Sequence, residues 1–396
     1  MAFSRLPLSY CTNVHPGRTL AEVEQGLDQY TVPVQANWGA PLAAGLWLAA
    51  PVVRELLDRP GALSAFRESL RRRGLTCHTL NAFPYGDFHS RRVKDNVYLP
   101  DWSDPRRLDY TADCARILAE LLPEGADGSI STAPLSFKGF AHPPEHWERY
   151  MHNLVRLAAD LERLHEESGR TIRLAIEPEP CCLLETTDEA IRFFQDLWRY
   201  AAEQNRLEVV LRHLGLCYDV CHQAVEFEDV EGSIAALVRA GVRINKVHIT
   251  CALQLDDPAE NSAGRQALAR YAEERYLHQT LAPARAGGVL RHVDLTEALA
   301  LDPPPEFRHA PMWRVHFHVP VDAEQLGPLR TTRDELRKAL RGVQRLNDPP
   351  HLEVETYTWE VLPDAVNDGS PTRLIDGLTR ELVATRELLG ELATEA

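Results

Sequence analysis

Short apolar runs alternate along this chain with longer stretches of helical spacing, and the rhythm repeats from one end to the other. Nine runs have the length and two-residue period of a strand: 7–13, 45–50, 75–83, 129–134, 172–177, 214–219, 244–250, 313–319 and 351–356. Helical patterns fill most of the intervals, at 105–122, 144–168, 188–205, 230–240, 332–344 and 371–394. Thr186 and Glu189 make a capping-box signature ahead of the 188–205 helix. Gly169 and Gly241 fall where helix C-caps are expected.

Strand–helix alternation repeated this often predicts a parallel sheet, and eight such units close into a (β/α)8 TIM barrel. The expectation is one barrel domain over 1–396. Nine runs compete for eight places, so one is an excursion, and 45–50 and 313–319 are the weakest. The stretch 251–312 is long for one connection. It holds a helical pattern at 259–280, a Gly-Gly pair and three consecutive prolines at 303–305, and is read as an insertion, a lid over the barrel mouth. The rival doubly wound sheet lacks a GxGxxG after any predicted strand.

Charge and cysteine content narrow the function. The 43 Lys+Arg against 58 Asp+Glu leave a formal charge of −15, which argues against a nucleic-acid partner. The eight cysteines, at 11, 77, 114, 181, 182, 217, 221 and 251, contain no CxxC pair and sit mostly in apolar stretches. They are read as reduced thiols of a cytoplasmic protein. The first residues, MAFSRLPLSY, lack a long apolar stretch, and no run of 18 apolar residues occurs, so neither a signal peptide nor membrane insertion is expected.

Side chains two apart on a strand share a face. In 172–177 the face opposite Ile172, Leu174 and Ile176 carries Arg173, Ala175 and Glu177. In 214–219 it carries Gly215, Cys217 and Asp219. The later runs add Lys246 and His248, then Arg314, His316 and His318, then Glu353 and Glu355. Five successive runs thus aim an ionisable residue inward near the C-terminal end, the face where barrel enzymes build their sites. Crowded carboxylates repel, and a divalent cation is the simplest agent that holds them together, with imidazole completing its shell. One or two ions of Zn, Mn, Fe or Co suit such oxygen-plus-nitrogen donors better than Ca. Glu179 competes with Glu177, and Glu353, one pleat deeper than Glu355, is read as a salt-bridge partner. Cys181, Cys182 and Cys221 are assigned to packing.

The order Glu177, Asp219-x-x-His222, His248, Glu355 resembles the xylose isomerase-like superfamily of barrels, which includes sugar isomerases, sugar epimerases and the endonuclease IV type of repair enzyme. The resemblance implies that Glu177, Asp219, His248 and Glu355 hold one metal. YDVCH at 218–222 is similar to a run in the endonuclease branch, which implies that His222 serves a second metal with His316 and His318 of VHFHVP. The early strand ends depart from that branch: NAFPY (81–85) and STAP (131–134) supply no histidines, which argues against a three-metal cluster. A closer likeness is spread over the chain. LSYCTNVHPG (8–17), NAFPYGDFH (81–89), VKDNVYLPDW (93–102), SISTAPLS (129–136), IEPEP (176–180) and LEVETYTWEVLP (352–363) resemble the EboE family of metabolite traffic proteins. These are encoded in gene clusters associated with moving a secondary-metabolite precursor out of the cytoplasm. That resemblance implies a small-molecule metabolite and other proteins of the same cluster as partners.

The leading expectation is metal-dependent isomerase or epimerase chemistry on a small polyhydroxylated or carbonyl metabolite. Glu177 and Glu355 would exchange a proton with it, and Lys246 would either stabilise an enediolate or pair with an inward acid. Asn13, His15, Asn81, Tyr85 and His89 are candidate substrate contacts, and Phe83, Trp313 and Trp359 either wall the pocket or pack the core. The alternatives are a handover protein without turnover, and phosphodiester hydrolysis as in the endonuclease branch.

Overall fold

The computed structural model describes residues 3–4, 6–363 and 371–395. Eight parallel strands close into a barrel in the order β1-β14-β7-β6-β5-β4-β3-β2. They are β1 (Ser9–Cys11), β2 (Ala43–Trp47), β3 (Thr79–Asn81), β4 (Gly128–Thr132), β5 (Ile172–Ile176), β6 (Leu214–Asp219), β7 (Ile244–Ile249) and β14 (His351–Val354). Helices cover the outside, among them Pro105–Leu121, Glu145–Ser168, Thr187–Glu203, Val230–Arg239 and Arg333–Gln344. The apolar face of each strand packs against them, as Leu174 and Ile176 do in β5. Local signals act as expected. Thr186 and Glu189 form a complete capping box, and Gly169 and Gly241 take the left-handed backbone that ends a helix.

The run at 45–50 belongs to the barrel, while 313–319 does not. β11 (Met312–Val319) lies in a second, six-stranded sheet of order β10-β9-β11-β8-β13-β12. Its other members are β8 (Cys251–Asp256), β9 (Thr280–Pro283), β10 (Val289–His292), β12 (Gln325–Leu326) and β13 (Leu329–Thr331). The reading of five successive inward barrel strands is therefore corrected to four barrel strands plus one from this sheet. The cause is at Thr250, the single residue between β7 and β8, where the chain leaves the barrel and enters the second sheet. β11 then runs back antiparallel to β8, with Met312 opposite Asp256 and Val319 opposite Cys251. That register returns the end of β11 to the top of β7. The helical pattern at 259–280 yields a helix only over Ser262–Ala269. Beyond it, Glu273 accepts the amides of Arg275 and Tyr276 and turns the chain toward β9.

Glycine matters most at Gly45 on β2. A methyl group there would lie 1.5 Å from Glu353 Oε1, so the missing side chain is the space that the Glu353 carboxylate occupies. All eight cysteines are buried free thiols. No helix among the described residues is long and apolar enough to cross a membrane.

Candidate metal centre

Four side chains from four adjacent barrel strands meet at the C-terminal mouth. Glu177 follows the last residue of β5, and its amide donates to Thr132 O at 3.0 Å. Asp219 ends β6, His248 sits opposite it on β7, and Glu355 follows β14. His248 Nδ1 lies 2.9 Å from Glu177 Oε1, 3.1 Å from Glu355 Oε2 and 3.5 Å from Asp219 Oδ2. One donor atom from each of the four falls within 4.8 Å of all the others. Glu177 Oε2 and Asp219 Oδ2 are buried without a hydrogen-bond partner. Buried acceptors rarely stay unpaired, and these two point into one cluster of carboxylates and imidazole, a donor set suited to a divalent transition ion.

The rest of each side chain is held in place. Asp219 Oδ1 accepts the His222 amide at 3.0 Å, capping the helix Val220–Val225, and the Thr250 hydroxyl at 2.7 Å. Glu355 Oε1 accepts Asn13 Nδ2 at 2.8 Å and Asn81 Nδ2 at 2.7 Å. His248 Nε2 lies 3.2 Å from Glu353 Oε2, which also meets Lys246 Nζ at 2.5 Å. Lys246 further donates to Ser131 Oγ at 3.2 Å. It lies beneath the cluster and does not line the cavity. Of its two sequence-based roles, the geometry matches the pairing with an inward acid, because a buried ammonium is tolerable only beside a carboxylate.

A second cluster adjoins the first. His222 Nδ1 faces Pro178 O at 2.9 Å, and His318 Nδ1 faces Glu355 O at 2.8 Å. A carbonyl only accepts, so each Nδ1 carries the proton. Gln279 directs its amide nitrogen to Tyr98 Oη, Glu179 Oε1 and Pro180 O, which leaves its oxygen to accept His316 Nδ1 at 2.7 Å. In its neutral form each of the three rings then presents an Nε2 lone pair inward. His222 and His316 bring theirs to 3.1 Å from each other, and His318 Nε2 is buried without a partner, 3.9 Å from Asp219 Oδ2. Two lone pairs facing at that distance repel unless a cation lies between them. Asp219, His222 and His318 form one group of donors within 4.8 Å, and Glu179, His222 and His316 form another. Cys221, His316 and His318 also bring their donor atoms within 4.8 Å of one another.

Burial and neighbours set the protonation states. Burial raises Glu177 to about 7 against the lowering effect of His248. Burial also disfavours charge on Glu355, but His248 and His318 outweigh it and hold that carboxyl at about 2. Asp219 is likewise held low, burial being overcome by His222, His318 and His248. His248 goes well up: burial opposes its charge, and Cys217, Glu177 and Glu355 prevail. Burial lowers His222 to about 4 and His316 well below its usual value, so both are neutral near pH 7.

A cavity opens at both clusters, and Glu177, Glu179, Glu355, His222, His316 and His318 are among the residues that line it. Asn13, Asn81 and Phe83 line it too, whereas His15, Tyr85, His89, Trp313 and Trp359 do not. His15 stacks on Tyr30, Tyr85 packs on Tyr110, and His89 Nε2 bonds Asn13 O. Trp313 and Trp359 pack in the core. Sequence reasoning missed the wall formed by Phe88, Val97, Tyr98, Tyr276, Leu277 and Tyr357. Several of these sit in the strings 81–89, 93–102 and 352–363, which stood out in the sequence without a role attached. Tyr276 and Leu277 carry no local signal.

No protein-family model matches the sequence, and no curated protein is similar to it. Solved structures do resemble it. A xylose isomerase-like TIM barrel protein from Mycobacterium smegmatis, in complex with magnesium, has a TM-score of 0.52 and 12% identity over 98% of this chain and 99% of that one. A D-tagatose 3-epimerase-like protein has a TM-score of 0.47 and 11% identity over 98% of this chain and 97% of that one. The IOLI protein with a bound zinc atom has a TM-score of 0.45 and 12% identity over 98% of this chain and 99% of that one. The first likeness agrees with the closed parallel barrel in giving the fold, a (β/α)8 TIM barrel.

Proposed function

We propose that this protein is a metal-dependent isomerase or epimerase of a small hydroxylated or carbonyl metabolite. Glu177, Asp219, His248 and Glu355 would hold one divalent ion, and His222, His316 and His318 a second. The observation that carries the reading is the convergence of unpaired buried donors, Glu177 Oε2, Asp219 Oδ2 and His318 Nε2, at a cavity that Glu177, His318 and Glu355 line. Bound there, the ion would supply Lewis acidity to a substrate carbonyl or hydroxyl pair.

The chain's own groups do the rest. Glu177 and Glu355 face the same cavity in unlike environments, one raised to about 7 and the other held at about 2. Such a pair can divide the work, one carboxylate taking a proton from a substrate carbon and the other returning it. Asn13 and Asn81 fix Glu355 Oε1, leaving Oε2 toward His248. Glu353, held by Lys246, orients the His248 ring, as partners behind a metal ligand do. The resemblance of the long strings to the EboE family favours a substrate in secondary-metabolite traffic, with proteins of the same gene cluster as partners.

Elemental analysis of purified protein tests the reading. At least one equivalent of a transition ion or magnesium is expected, and Glu355→Gln should keep the fold while weakening metal binding about 100-fold or more. Failure to bind any divalent ion after reconstitution sinks the proposal. Unchanged affinity in the variant removes Glu355 from the ligand set. Metal binding without deuterium exchange from solvent into any hydroxycarbonyl compound would favour a handover protein over an enzyme.

A further inference from the structure

We infer that the body of the substrate is uncharged and largely apolar, and that only one end of it is polar. The polar end rests on the metal-dependent reading above; the apolar body rests on the cavity wall alone. The cavity lining is of two kinds: carboxylates and imidazoles on one hand, and Phe83, Phe88, Val97, Tyr98, Leu277 and Tyr357 on the other.

The wall is built of rings packed on one another, and two of its three hydroxyls are already engaged. Phe88 packs against Tyr276 at 4.8 Å and Tyr357 at 5.3 Å between ring centres, and Tyr98 stacks on Phe137 at 5.1 Å. The Tyr98 hydroxyl donates to Glu179 Oε1 at 2.7 Å, and that of Tyr276 donates to Phe88 O at 3.2 Å. Lys94 is the one cation among the described residues lining the cavity. Its ammonium already meets Asp294 Oδ2 at 2.6 Å, Tyr276 O at 2.7 Å and Glu273 O at 2.8 Å. An ammonium has three donors, so none remains for a phosphate, sulfate or carboxylate on the substrate body. Asn13 and Asn81 are committed to Glu355. A sugar laid along this wall would give up hydrogen bonds to water and regain few, whereas an aromatic or branched aliphatic group would gain by leaving water. The substrate class is therefore a hydroxycarbonyl or diol head on an apolar body, and not a free sugar, a sugar phosphate or a phosphodiester.

The test uses the full chain and two kinds of probe. N-Phenyl-1-naphthylamine, a neutral aromatic dye, should bind the metal-free protein saturably with a rise in fluorescence. Binding should be lost in Val97→Asp and Leu277→Asp, two wall residues that are only half-buried. In zinc-loaded protein, benzohydroxamate should bind roughly 10- to 100-fold more tightly than acetohydroxamate, the gain expected for burying a phenyl group. No saturable dye binding, dye binding indifferent to both variants, or equal affinity for two hydroxamates that do bind would each overturn the inference. Dye binding with no binding of either hydroxamate would instead count against the metal reading and leave the apolar wall standing.

Discussion

Asp219 divides its two oxygens between fold and chemistry. Oδ1 caps a helix and accepts a threonine hydroxyl, while Oδ2 stands between the two donor clusters, 3.5 Å from His248 Nδ1 and 3.9 Å from His318 Nε2. The cluster stores protons without an ion: Glu177 is raised to about 7 by burial, and His248 is raised by Cys217 and the carboxylates against its burial. An ion needs lone pairs from both, so binding must release those protons. Zinc binding at pH 6.5 is therefore expected to release between one and two protons, and affinity should rise with pH through about 7. Calorimetry in buffers of different ionisation enthalpy counts the protons; a pH-independent affinity would contradict the assignment. The strand-end acids and His248 were legible in the sequence because alternation fixes which face each residue takes. The Nε2 directions of His222, His316 and His318 were not, because the carbonyls that set them come from other segments.

At the scale of elements, the C-terminal helix Pro371–Glu395 fastens the loop behind the site. Its buried Glu381 accepts Trp359 Nε1 at 2.9 Å and Thr356 Oγ1 at 2.5 Å from the segment after β14, and the Val321 amide at 3.2 Å from the chain leaving β11. One carboxylate thus ties together the pieces that carry Glu355 and His318. Glu381→Leu would remove an acceptor that serves three donors, a loss of about 3 kcal/mol of stability, read from urea denaturation. Because the tie joins both pieces, metal affinity should fall along with stability. A shift in stability with metal binding intact would show that the helix supports the fold without positioning the site. The helix itself was evident from its periodicity, but its hold on the site depends on contacts that span more than 20 residues to Trp359 and 60 to Val321.

The whole molecule buries several acids whose folded pKa lies above the ordinary 4.5. Glu177 and Glu381 reach about 7, and Glu179 and Glu226 about 8, burial being the largest cause in each. The folded state therefore binds more protons than the unfolded state between pH 4.5 and 8. Stability from these groups is fully present below 4.5 and is lost as pH rises through 7 to 8. The histidines with lowered values, His222 at about 4 among them, act the opposite way only below about 6.5. Between pH 7 and 8.5 the metal-free protein should thus lose a few degrees of Tm. Saturating metal should flatten that loss, because an ion replaces the protons at Glu177. Scanning calorimetry with and without zinc measures both slopes; a rising Tm over that window would refute the protonation scheme.

The sequence by itself determined the local choices: which runs form strands, which face Glu177, Asp219, His248 and Glu355 take, and where Thr186 and Gly169 begin and end helices. Such choices depend on neighbours a few residues away, so spacing and residue type decide them. Tertiary structure alone decided that 313–319 leaves the barrel, that Lys246 meets Glu353 through the space left by Gly45, and that an apolar wall from three distant segments faces the carboxylates. Those outcomes turn on which strands pair and how the barrel closes, and side-chain alternation is the same whichever partner a strand finds.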